Sequence, residues 1–246
     1  MKKILLIFAH PDDESFSCSG TMVKYKNNNT SIKLITATRG EAGQLGDPPL
    51  CLPEELGEER TKELKNAARI IGIKKIFFLG LRDGTLSKFS LKFLSNLIEP
   101  ILIRENPDII ITFPKTGISG HDDHIVISKA ATIAYLKYRR ITKKKTKLLY
   151  ITIPQSIVDK MVKKSQVKNL FRRPFKGTPD KKITTIIKID DTLEIKIKAL
   201  MCHKTQRKDW ERYIIRTNNE KNSSFEYYQQ VYPKEKKQKV IKNELF

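Results

Sequence analysis

Three of the four histidines in this 246-residue chain fall within two short polar clusters. One reads Ala9-His10-Pro11-Asp12-Asp13-Glu14, the other Gly120-His121-Asp122-Asp123-His124. The first closes the apolar run Ile4 to Ala9, and the second follows the run Asp108 to Phe113. Imidazoles and carboxylates set together, with no cysteine among them, suit a hydrolytic zinc ion or a similar divalent cation. Two such clusters close three sides of an ion and leave water on the fourth. Each cluster alone has a plainer reading. Asp12, Asp13 and Glu14 suit the positive end of a helix dipole, and His121 with Asp122 suits a helix cap. A lone histidine such as His203 is more often structural than a ligand. Only the joint occurrence of the clusters favours the metal.

These residues need a scaffold that brings both clusters to one place. Ile4 to Ala9 has the continuous apolarity of a strand buried on both faces of a parallel sheet. A helix is predicted from Ser15 to Asn27, a strand from Ser31 to Ala37, and a long glycine- and proline-containing loop from Thr38 to Leu52. The spacing of Leu56, Arg60, Leu64, Ala67, Ala68 and Ile71 predicts a helix over 53–71 that Gly72 ends. Further strands are expected at 75–79, 108–113, 147–153 and 183–189, with helices at 90–104, 124–138 and 192–204. Strand and helix alternate, which predicts an α/β fold: a Rossmann-like three-layer α/β/α sandwich with a mainly parallel sheet. In such sheets ligands bind outside the carboxyl ends of the strands, so both clusters face one crevice. We expect one domain over 1–246, with a core at 1–155 and a smaller C-terminal elaboration at 156–246. The lysine-rich last dozen residues are expected to fray.

Composition sets outer limits. Hydrophobic residues make up 39% and charged residues 30%, enough apolar material for a globular core. No apolar run approaches the roughly 18 residues of a membrane span. Met1 to Ala9 imitates a signal peptide, but its apolar stretch ends after about six residues, short of the roughly 7–15 of a signal core; a cytoplasmic protein is expected. Cys18, Cys51 and Cys202 are widely spaced and form no CxxC pair, so they predict neither a disulfide framework nor a cysteine zinc site. The net charge is +21, much of it in runs such as Lys143-Lys144-Lys145, Lys163-Lys164 and Lys234 to Lys239. Solvated faces explain such runs more simply than nucleic acid does, because no aromatics are interleaved and no nucleic-acid motif is present. Peripheral membrane contact and a homo-oligomer stay open.

The chain resembles the zinc-dependent PIG-L/LmbE-like de-N-acetylases. The resemblance rests on residues 9–14 and 120–124, with support from Thr38-Arg39-Gly40-Glu41-Ala42-Gly43, Arg60 with Glu63, Arg82-Asp83-Gly84, and His203-Lys204-Thr205-Gln206. It implies a hydrolase that removes acetyl from an N-acetylglucosamine derivative, a small-molecule amino-sugar conjugate. It implies zinc, with Fe2+ as another candidate, held by His10, Asp13 and His124. Asp12 would be the general base toward a metal-bound water, His121 an acid or oxyanion partner, and Asp123 the group that orients a histidine. Arg39, Glu41, Arg60, Arg82 and His203 would contact substrate. Some members that act on thiol-cofactor precursors carry tyrosine where this chain has Ser119, so that contact is not carried over. The alternatives are a deacylase of another small amide, or a basic nucleic-acid or membrane-surface binder on a scaffold that has lost catalysis.

Overall fold

The computed structural model describes residues 1–26, 28–165, 169–170, 173–219, 224–234 and 243–246. Strands are β1 (Lys2–Phe8), β2 (Thr30–Thr36), β3 (Ile73–Phe78), β4 (Ile109–Thr112), β5 (Lys147–Thr152), β6 (Asn169–Leu170), β7 (Arg173–Pro174), β8 (Thr185–Lys188) and β9 (Phe225–Tyr232). Helices are α1 (Asp13–Lys26), α2 (Leu56–Ile71), α3 (Leu91–Glu105), the single turn α4 (Gly117–Gly120), α5 (Asp122–Thr142), α6 (Gln155–Ser165), α7 (Leu193–Leu200) and α8 (Arg207–Asn219). Seven strands form one sheet in the order β3-β2-β1-β4-β5-β9-β8, while β6 and β7 pair separately. The first five are parallel to their neighbours; β9 runs antiparallel to both β5 and β8. Helices flank this mostly parallel sheet, giving the expected α/β three-layer fold. No helix among the described residues is long and apolar enough to cross a membrane.

The apolar run that announced β1 has its expected consequence. Ile4 through Phe8 are each at most 1% exposed, because β2 and β4 cover both edges and helices cover both faces. α1, α2 and α7 pack together, and α3 packs on α5. Every position of the predicted pattern is buried in α2, with Gly57 and Glu63 buried beside it, and Gly72 ends the helix in the left-handed region at φ 91°, its N–H on the Ala68 carbonyl. Between β1 and β4 the chain order reverses, so the loops after these strands part and leave a crevice at their carboxyl ends.

The C-terminal part departs from expectation. α6, α8 and β9 were not foreseen, and β9 lengthens the main sheet. Its alternation has the wrong sign for a sequence reading, since Glu226 faces inward and is buried. That carboxylate is matched by the buried Lys196 ammonium at 2.6 Å and by the N–H groups of Gly20 and Thr21. Of the last dozen residues, expected to fray, 235–242 lie outside the described residues; in 243–246 Leu245 is buried, its N–H donates to the Tyr25 hydroxyl at 2.8 Å, and Lys147 donates to its carbonyl. Asn27 and most of the run Lys234 to Lys239, from residue 235 on, lie outside the described residues.

Candidate active site

The loop after β1 turns sharply at Asp12, whose φ of 99° is rare for a residue with a side chain. Asp13 opens α1, and its Oδ2 accepts the N–H groups of Ala9 and His10 at 3.1 and 2.8 Å. This pins the carboxylate with Oδ1 toward His124 Nε2, 3.2 Å away. His10 Nδ1 lies 3.2 Å from His124 Nε2 and 3.8 Å from Asp13 Oδ2. Three potential ligands thus converge. Two nitrogens on one tetrahedral zinc, at about 2.0–2.1 Å each, sit ~3.3 Å apart, which the observed spacing matches.

Hydrogen bonds on the far side of each ring agree. His10 Nε2 meets Asp83 Oδ1 at 2.8 Å and Asp123 Oδ2 at 3.3 Å. An Nε2–H donating there leaves the Nδ1 lone pair turned inward. Asp123 is held in turn by the N–H groups of Gly84 and Leu86. His124 Nδ1 lies 3.2 Å from the Gly117 carbonyl, and its ring stacks on Phe113 at 4.2 Å. Donation to that carbonyl leaves Nε2 inward. Such outer partners fix tautomer and ring orientation at metal-binding histidines. Two different trios, His10–His121–His124 and His10–Asp83–Asp123, bring one atom each within 4.8 Å of one another. Both share His10, and in the second the Asp123 oxygens are already taken by backbone N–H groups. Although burial opposes ionisation, His124 and His10 hold the Asp13 carboxyl well below its usual range.

Asp12 points to a different partner. Arg60 Nη2 donates to the Asp12 carboxylate at 2.9 Å and to the Pro11 carbonyl at 2.6 Å, while Nη1 donates to the Gly40 carbonyl. Room for this guanidinium comes from glycines. A Cβ at Gly40 or Gly43 would lie 2.1 or 2.5 Å from Arg60 Nη1. Burial pushes Asp12 up to about 6, with Arg60 pulling the other way and Asp13 adding to the rise. His121 caps α5, its Nδ1 accepting the Asp123 N–H at 3.2 Å, so the plain capping reading holds for this histidine. Its ring also lies 4.9 Å from both His10 and His124, and burial together with those neighbours lowers its pKa.

The five residues expected at substrate separate into two groups. Arg39 and Arg82 are exposed, with Arg39 over the Phe78 ring, and Glu41 accepts the Asp83 N–H. Arg60 is 3% exposed and turned onto the Asp12 loop, and His203 is wholly buried. His203 Nε2 meets Glu14 and Ser15 at 3.1 and 3.2 Å, so in this structure its ring faces the protein, not the crevice. This corrects the expectation for His203. Sequence reasoning passed over Asp83 and Glu14 as participants. Asp83 was signalled by its place between two glycines after β3, a third carboxyl-end loop; Glu14 had no signal beyond helix-start chemistry.

Residues 5–135 match the family described as PIG-L: GlcNAc-PI de-N-acetylase. A 1D-myo-inositol 2-acetamido-2-deoxy-alpha-D-glucopyranoside deacetylase 2 from Saccharopolyspora erythraea is 30% identical over 230 residues, 82% of each chain. A Bacillus anthracis protein named "Probable N-acetyl-alpha-D-glucosaminyl L-malate deacetylase 2" is 36% identical over 54% of this chain and 59% of its own length. The N,N'-diacetylchitobiose deacetylase from Pyrococcus horikoshii shares the fold, with TM-score 0.65 and 23% identity over 94% of this chain and 84% of that one. The chain belongs to the PIG-L de-N-acetylase family, a family of amide hydrolases.

Proposed function

We propose that the chain is a zinc-dependent deacetylase that releases acetate from an N-acetylglucosamine conjugate, with Fe2+ as an alternative metal. The observation that carries this is the convergence of His10 Nδ1, His124 Nε2 and Asp13 beside a separate carboxylate, Asp12. The relatives named for glucosaminyl-inositol and glucosaminyl-malate substrates support the sugar and leave the aglycone open. In this reading the whole chain, 1–246, works as one domain.

His10, Asp13 and His124 would hold the ion, which when bound lowers the pKa of water to about 7 and polarises the acetamide carbonyl. Asp12 takes the proton of the attacking water on its carboxylate. Arg60 keeps that carboxylate in place, and Asp123, with Asp83, orients His10. His121, half-buried beside both zinc-binding histidines, donates a hydrogen bond to the developing oxyanion or a proton to the departing amine. Arg39, Glu41 and Arg82 line the approach and contact the sugar conjugate; Arg60 contributes from below. The test is a screen of N-acetylglucosamine conjugates with the zinc-loaded and metal-stripped chain, read by release of free amine. Amine release only from the loaded chain supports the proposal, and no release from any N-acetyl sugar with bound zinc overturns it.

A further inference from the structure

One path of buried polar contacts leaves the loop after β1 for a distant segment. Asp12 sits in a backbone region that side-chain-bearing residues populate only when neighbours over-determine it. Arg60 holds it from one side. From the other, the Asp12 N–H donates to Glu14 Oε2 at 3.2 Å. Glu14 is 1% exposed, so its carboxylate needs partners of its own. Its Oε1 accepts the Ser15 hydroxyl at 2.6 Å and meets His203 Nε2 at 3.1 Å. The turn that carries His203 is then tied back to α2. The Thr205 N–H and hydroxyl each donate to Glu63, one to each oxygen, at 2.7 Å. Glu63 lies one helical turn beyond Arg60, the residue that grips Asp12. Trp210 Nε1 steadies the same turn by donating to the His203 carbonyl.

The contacts close a ring: α2 through Arg60 to Asp12, then Glu14, His203, the Thr205 turn and Glu63, back to α2. Every group in it except the Asp12 side chain is at most 3% exposed. A buried network of this kind is stiff when complete and leaves an unpaired polar group when any member is removed.

We propose that His203 is a positioning residue: through Glu14 it fixes the backbone of Asp12, so that the turn at 203–206 is a working part of the active site. This segment follows residues 5–135, the part matched by the family, and belongs to the His203-Lys204-Thr205-Gln206 element of the resemblance. The proposal rests on the reading of Asp12 as general base, and its test separates the two.

The test is a double-mutant cycle on the zinc-loaded full chain, with the conjugate turned over fastest in the screen above. His203→Leu should lower kcat about 10–100-fold, the range for lost orienting partners, with KM and zinc content unchanged. His203→Gln, which keeps an N–H donor, should restore most of kcat. In an Asp12→Asn background, His203→Leu should cost less than about twofold more, because residues acting as a unit are not additive. The same loss in both backgrounds overturns the coupling and leaves the role of Asp12 standing. An Asp12→Asn enzyme of full activity overturns the base reading, and this proposal with it. If His203→Leu does not fold, Thr205→Val removes one donor to Glu63 and enters the same cycle with the same expectations.

Discussion

The two loops that bring the proposed metal ligands together are built differently. The loop after β1 is over-determined by charge-assisted hydrogen bonds: Asp13 to two backbone N–H groups, Arg60 to a carbonyl and a carboxylate, Glu14 to the Asp12 N–H. The loop after β4 has few such contacts. It orients His124 through one carbonyl, that of Gly117, and a stacked phenylalanine. Next to that carbonyl stands Ile118, with φ 59° and ψ −74°, where the rare and strained form of the γ-turn lies. Buried polar atoms without a hydrogen-bond partner among the described residues occur on both sides, at Ser119 Oγ here and at Arg60 Nε and His203 Nδ1 on the other. One half of the centre is thus held by redundant polar bonds, the other by shape. Damage should therefore spread differently from the two sides.

The largest effect is expected where a ligand is removed outright. His124→Ala should abolish both bound zinc and turnover, measured as metal per chain and amine release; one tightly held zinc after that change overturns the ligand set. On the over-determined side, Asp13→Asn still offers an oxygen to the Ala9 and His10 N–H groups. It should weaken zinc affinity while keeping the loop, and excess metal should restore part of the activity. Its neighbour should behave in the opposite way. Asp12→Asn should keep zinc and lose about 10²–10⁴-fold in kcat, the usual contribution of a general base. Rescue of Asp12→Asn by zinc would reverse the two roles.

The contrast between the loops also explains what the sequence revealed. β1 to β5 were legible because their apolar runs are local and bounded by turns. β9 was not, because its inward Glu226 is satisfied by Lys196, 30 residues away in sequence. In the site, the convergence of His10, Asp13 and His124 was legible from two short windows, 9–14 and 120–124. Asp83 was passed over because its partner His10 lies on another loop, and Arg82 beside it drew the attention. Arg60 came in as a substrate contact through the family resemblance, not as the partner of Asp12. The compensating signal, two glycines at 40 and 43 that make room for its guanidinium, has meaning only once the fold places them against it. The Glu14–His203 contact spans 189 residues. No local window contains it.

A small effect is expected at the lysine run 143–145. Lys144 pairs with Asp108 at 2.9 Å and donates to the Asn106 carbonyl at 2.8 Å, at the amino end of β4 and so at the opposite end of that strand from the second loop. Neutralising all three lysines should leave kcat and KM for a neutral conjugate within about twofold. Stability should fall by no more than roughly 1 kcal/mol, as for a partly exposed pair. A large loss of turnover would couple this surface to the site.

The smallest change, and the one that bears most directly on the loop after β4, concerns Ile118. Its side chain is half-buried against the core, so any truncation there loses some packing. Ala and Gly differ by a single methyl group, but their backbones differ in kind. In an unstrained segment Ala is the more stable of the two by about 0.5–1 kcal/mol, because Gly gains more freedom on unfolding. At a positive φ the preference inverts, since Gly adopts that region without steric cost while the strain at other residues is about 1–3 kcal/mol. Ile118→Gly should therefore have a urea midpoint at or above that of Ile118→Ala. The opposite order would show that Ile118 carries no strain, and the contrast between the loops would lose its second half. Zinc titration of the same pair reads the consequence for the site. Gly loosens the segment that presents the Gly117 carbonyl to His124, so Ile118→Gly should bind zinc more weakly than Ile118→Ala despite being the more stable protein.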